Sequence, residues 1–206
     1  MPNEEVLKCT SGGITCEVSE LVNELIKSLI REYLGNDVAE FTAGLGRFML
    51  CRGEFSEAYL IPKELEGLVT KLLRSGRVPY SVGMYLGRVR SRKPRFVPSV
   101  NLLHITYCEL GVRSALVVSL KGLKPFLYGN DVLKESVINC FEPVRRGYVV
   151  GIVGEDGYVY GVGLPVINSC SELNLLKGSD VVALNVFDVG WFLRGGTVPR
   201  ERMFKV

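Results

Sequence analysis

The segment YVVGIVGEDGYVYGVGLPV, residues 148–166, carries five glycines in an otherwise apolar stretch. It restricts the fold more than any other part of the chain. Two phosphate-binding loops are glycine-rich, and neither fits. A dinucleotide fingerprint needs G-x-G-x-x-G opening a helix. Here Gly161-Val162-Gly163 runs into Leu164-Pro165-Val166, with no third glycine and no helix signal. A P-loop needs Gly-Lys followed by Ser or Thr, which does not occur. A hairpin accounts for the pattern instead. Alternating apolar runs flank Asp156-Gly157, a turn dipeptide. Alternation sets Tyr158, Tyr160, Val162 and Leu164 on one face and leaves Gly161 and Gly163 together on the other. A strand face without side chains permits a sharp bend or the close approach of another backbone.

Around this hairpin the elements divide into two sets. Residues 17–34 have apolar residues at three- and four-residue steps, which predicts an amphipathic helix ending at Gly35. RFMLC (47–51) and EAYLI (57–61) read as paired strands, and Pro62 opens a second helix. SVGMYLGRVR (81–90) reads as a strand and RKPRF (92–96) as a turn, whereas SVNLLHITYCEL fits strand or helix equally. ALVVSL (115–120) reads as a strand, and KGLK (121–124) as the boundary between two domains, 1–122 and 123–206. Beyond it, FLYGNDVLKESV predicts a turn leading into a short helix, and VVALNVF (181–187) a further strand. The expected architecture is α+β: an N-terminal α/β domain with an antiparallel sheet, then a small barrel-like β domain.

Charge is unevenly distributed. Residues 1–66 hold 12 acids and 6 bases, whereas residues 67–108 hold 8 bases and no acid. An acid-free basic stretch points to a polyanionic partner. No apolar run reaches the ~20 residues of a membrane span, so no membrane partner is expected. The six cysteines contain no CxxC pair and His104 is the single histidine, so neither a metal nor a cofactor is expected. In a reducing compartment the cysteines are expected to act as small buried hydrophobes, with a Cys9–Cys16 bridge across Gly12-Gly13 as the minor alternative. His104, in LLHIT, is expected to be half-buried or buried.

The hairpin resembles the central hairpin of the PUA domain, a pseudo-barrel RNA-binding module. FLYGNDVLK (126–134) and NVFDVGWFLRGG (185–196), with SVGMYLGRVRSRKPRF before them, resemble the ribosome-biogenesis proteins named after nuclear import protein seven. The resemblance spans about residues 57–196. It implies an N-terminal α/β domain followed by a PUA pseudo-barrel domain, and action by binding, not catalysis, in large-subunit pre-rRNA maturation. Implied partners are rRNA or pre-rRNA and pre-ribosomal or RNA-processing proteins. The implied location is cytoplasmic in an archaeon and nuclear or nucleolar in a eukaryote. Implied RNA contacts are Arg194, Arg200 and Arg202 first, with Lys205, Arg145, Arg146 and Lys134 as further cations able to grip phosphate. Arg88, Arg90, Arg92, Lys93 and Arg95 form a second basic patch, for RNA or for an acidic protein. Trp191 and Phe192 are expected in the core. The alternatives are an RNA-modifying enzyme, for which AEFTAGLGRF (39–48) is a poor methyltransferase loop, and a protein-only interaction module.

Overall fold

The computed structural model describes residues 6–79, 82–91 and 93–194. The chain divides into two compact units, Met1–Leu102 and Leu103–Val206.

In the first unit six strands pair in sequence order as an antiparallel meander. They are β1 (Leu7–Ser11), β2 (Ile14–Val18), β3 (Gly46–Arg52), β4 (Ser56–Pro62), β5 (Met84–Val89) and β6 (Phe96–Pro98). Helix α1 (Glu20–Leu34) follows β2 and α2 (Asn36–Leu45) follows α1. The Ser19 hydroxyl accepts from the Val22 N–H at 3.3 Å, satisfying one of the unpaired donors of the α1 terminus. α1 buries Val22, Ile26, Leu29, Ile30 and Tyr33, as its periodicity predicts, but Leu21 is 81% exposed. Pro62 leads into a 3₁₀ turn (Lys63–Leu65) and helix α3 (Glu66–Arg74). Four consecutive residues of β3, Phe48 to Cys51, are buried, so both faces of the sheet are covered. Met49 and Cys51 pack with Val69 and Leu73 of α3.

SVNLLHITYCEL, open between strand and helix, is helix α4 (Val100–Leu110). The Ser99 hydroxyl accepts from the Leu102 N–H at 3.1 Å and sets its start.

The second unit contains β7 (Ala115–Val118), α5 (Leu120–Leu127), β8 (Val132–Leu133), β9 (Val137–Phe141), β10 (Val150–Gly154), β11 (Val159–Pro165), β12 (Val181–Asp188) and the short α6 (Gly190–Leu193). Its sheet runs β8-β12-β11-β10-β7-β9 and curls as a half-barrel. β7 and β10 are parallel, and the remaining pairs are antiparallel. The core sits inside the curl, around Leu116, Leu123, Phe126, Val150, Ile152 and Val182. β7 is hydrogen-bonded to β9 and β10, so it belongs to this unit although the boundary expected at 122/123 falls after it. KGLK is not a linker: it lies in α5, capped by the Ser119 hydroxyl, which accepts from the Gly122 N–H. After the YGN turn comes a single 3₁₀ turn (Lys134–Ser136) in place of the expected short helix.

The glycine hairpin is β10–β11, turning through Gly157 at φ 82°. At Gly161 a Cβ would lie 2.3 Å from the Phe187 carbonyl oxygen and 2.6 Å from the Phe126 ring. The bare backbone lets α5 and β12 close over β11. Gly161→Ala is therefore expected to destabilise the second unit by about 3 kcal/mol, the upper range for overpacking a filled core. A lowered urea midpoint for that unit checks it.

Two disulfides correct the expectation of thiols. Cys16 bonds Cys51, its register partner on the next strand, and Cys140 bonds Cys170. Cys9 stays a buried thiol and Cys108 an exposed one. Spacing along the chain carried no sign of either bond, because the bonded residues lie 35 and 30 positions apart in sequence.

Candidate nucleic-acid interface

The two motifs FLYGNDVLK and NVFDVGWFLR lie far apart in sequence and meet at the end of β12. Asp188 is the centre of that junction. Its carboxylate takes two hydrogen bonds from the Arg194 guanidinium, at 2.9 and 3.0 Å, and one from the Asn185 amide at 3.2 Å. The Asn185 amide also donates to the carbonyls of Phe126, at 2.9 Å, and Asn130, at 3.2 Å. Arg194 donates to the Leu127 carbonyl, and the Asn185 N–H donates to Asp131 at 2.9 Å. The network ties the end of α5 and the YGN turn to β12 and α6. Gly190 permits the approach: a Cβ there would stand 2.1 Å from the Leu127 carbonyl oxygen.

Arg194 has a structural role in this network. Its side chain is 25% exposed and forms a bidentate pair with a carboxylate that is 4% exposed. Its Nη1 and Nη2 donors on that side are committed to the fold. Arg88 has an acidic and an aromatic neighbour. Its Nε lies 3.7 Å from Glu57 Oε1 and its guanidinium 4.0 Å from the centre of the Phe55 ring. Arg90 closes the β5–β6 turn through its N–H to the Arg95 carbonyl at 2.7 Å, and Lys93 and Arg95 are exposed on that turn. Arg146 is exposed, and its Nε donates to the Val166 carbonyl. Arg145, also exposed, sits 5.3 Å from the centre of the Tyr148 ring. Lys134 opens the 3₁₀ turn, its N–H donating to the Asp180 carbonyl. Arg92, Arg200, Arg202 and Lys205 lie outside the described residues, as does the Phe192 side chain.

The structure brings forward residues that sequence reading passed over. Lys121, Lys124 and Tyr128 are exposed along one side of α5 and its C-terminal cap, Tyr128 at 72%. Lys121 also borders an open cleft of about 510 Å³. Lys121, Gly122 and Pro125 line one wall, and Asn130, Asp131 and Ser136 line another. The spacing of Lys121, Lys124 and Tyr128 is helical and was visible in the sequence. It was missed because KGLK was taken for a boundary.

Elsewhere in the unit the His104 ring stacks on Tyr158, with centroids 5.3 Å apart. The Tyr160 hydroxyl donates to Asp156 at 2.7 Å, which holds that carboxyl below its ordinary range and the phenol above its own. Burial pushes the Tyr107 phenol well above its usual range.

Residues 114–197 match the family model described as the UPF0113 PUA domain. Over 171 residues the chain is 27% identical to the 60S ribosome subunit biogenesis protein nip7 of Schizosaccharomyces pombe, covering 80% of this chain and 88% of that protein. Over 184 residues it is 24% identical to the Saccharomyces cerevisiae NIP7 protein of the same description, covering 86% and 95%. Two solved archaeal structures share the fold. A hypothetical protein of Pyrococcus horikoshii gives a TM-score of 0.59 at 14% identity, over 85% of this chain and 96% of that one. A PUA domain protein of Aeropyrum pernix gives 0.57 at 13%, over 90% and 94%. The curled sheet with its α5 and glycine hairpin defines a PUA-domain protein with an antiparallel α/β unit in front. Within that class, the two yeast relatives support a NIP7-like chain.

Proposed function

We propose that the protein is a non-enzymatic ribosome-assembly factor for the large subunit. It binds single-stranded, uridine-rich pre-rRNA through the second unit and docks assembly proteins through the first. The observation that carries the RNA reading is the exposed row of Lys121, Lys124 and Tyr128 on α5 and its cap, with Lys121 lining the cleft. Lysine supplies point charge for phosphates, and an exposed tyrosine ring offers a surface on which a base stacks. The amide and hydroxyl of Asn130 and Ser136, lining the cleft, suit the edges of an unstacked base. Lys93 and Arg95 provide the second patch, for rRNA or an acidic protein. The assembly role rests on the yeast relatives, whose names place them in 60S subunit biogenesis and which align over most of both chains. The competing reading, an RNA-modifying enzyme, predicts calorimetric binding of S-adenosylmethionine.

Affinity for polyuridine measured across a salt series is expected to give a log–log slope of about −3, as for about four phosphates on a single strand. Lys121→Ala combined with Lys124→Ala should flatten the slope to about −1.5. Tyr128→Ala should weaken binding by about 1–3 kcal/mol without changing the slope. An unchanged slope in the double-lysine variant removes α5 from the interface. Arg200→Ala with Arg202→Ala then puts the same question to the C-terminal tail.

A further inference from the structure

We propose that Cys9, Cys16 and Cys51 form a thiol–disulfide exchange site in which Cys16 bonds to either neighbour in turn. Three adjacent strands of the first sheet carry a cysteine at the same level. Cys9 of β1 faces Cys16 of β2, and Cys16 faces Cys51 of β3. All three are buried and belong to one cluster with Val69 and Leu73, so their side chains share the sheet face that α3 covers. Cys16 is bonded to Cys51, and Cys9 beside them is a thiol.

Register sets which pairs are accessible. Directly opposed residues on neighbouring antiparallel strands have Cα atoms about 4.5–5.5 Å apart. That span accommodates a disulfide. Cys9 and Cys16 meet this condition as register partners, just as Cys16 and Cys51 do. Cys9 and Cys51 are two strands apart, about 9–10 Å, which is too far to bridge. Cys16 is therefore the shared member of two possible bonds.

The step is an isomerisation and needs no outside oxidant. Cys9, as thiolate, attacks Cys16 Sγ, and its electron pair forms the Cys9–Cys16 bond. The Cys16–Cys51 bond breaks, and its electron pair leaves on Cys51 Sγ, which takes up the proton that Cys9 gave up. One disulfide and one thiol are present before and after. What changes is the loop that is closed. The Cys16–Cys51 bond spans 35 residues and closes the segment that carries α1 and α2. The Cys9–Cys16 bond closes only the β1–β2 hairpin and leaves α1 and α2 held by packing alone. Exchange would thus switch the covalent restraint on those two helices while the sheet stays paired.

Mapping the linkages tests this. The full chain is equilibrated in a glutathione buffer, trapped with N-ethylmaleimide, digested without reductant and read by mass spectrometry. The wild type is expected to show linked peptides for both Cys16–Cys51 and Cys9–Cys16, and none for Cys9–Cys51. Cys51→Ala is expected to convert fully to Cys9–Cys16, and Cys16→Ala to leave Cys9 and Cys51 as thiols. A wild type with no Cys9–Cys16 link overturns the proposal, whether or not the variants fold. So does a Cys9–Cys51 link, or a Cys51→Ala chain, folded by circular dichroism, that keeps Cys9 and Cys16 reduced.

Discussion

Asp188→Ala is expected to destabilise the second unit by about 3–5 kcal/mol, the range for removing one partner of a buried ion pair. Three hydrogen bonds end on this carboxylate, two from Arg194 and one from Asn185. Without it the Arg194 guanidinium, 25% exposed, keeps only the Leu127 carbonyl, and the Asn185 amide loses one of three acceptors. Most of the cost is the stranded charge, not the lost attraction. Asp188→Asn keeps the shape and removes the charge, so it separates the two contributions. Arg194→Ala leaves the carboxylate itself stranded and is expected to be comparably costly. Chemical denaturation followed by Trp191 fluorescence reads the unit directly. If Arg194→Ala folds as stably as wild type but loses RNA affinity, the assignment of Arg194 to the fold is wrong and its first assignment, to RNA, returns.

Reduction is the second large effect. The bonds Cys16–Cys51 and Cys140–Cys170 span 35 and 30 residues, one in each unit. By the loop-closure argument each restricts the unfolded chain enough to stabilise its unit by about 3–4 kcal/mol. Thermal unfolding with a phosphine reductant should fall by more than about 10 °C in a unit of this size. Cys140→Ala with Cys170→Ala should reproduce the loss in the second unit alone. Equal midpoints with and without reductant would show that the bonds do not form in solution.

The parts of the fold that were legible in the sequence are those carried by short-range pattern. The α1 stripe was read because an amphipathic helix repeats within a few residues. The β10–β11 hairpin was read because Asp156-Gly157 and its alternating flanks are contiguous. Helix α4 was ambiguous because its apolar residues surround it without a clean period. Helix α5 was misread because Lys121, Gly122 and Lys124 look like a linker, and only packing of Leu123 and Phe126 into the curl shows otherwise.

The candidate site was less legible than the fold. The resemblance drew attention to both motifs that meet there, but it could not divide their cations between structure and binding. Arg194 lies 67 residues from the carbonyl it holds, and Cys16 lies 35 from its bonded partner. By itself the sequence determined the two-unit organisation, the glycine hairpin and the concentration of positive charge, since each follows from neighbours along the chain. Only the tertiary structure decided which guanidinium is neutralised, which lysine lines the cleft and which thiols bond. Those outcomes depend on distance through space, and a linear order of residues does not contain it.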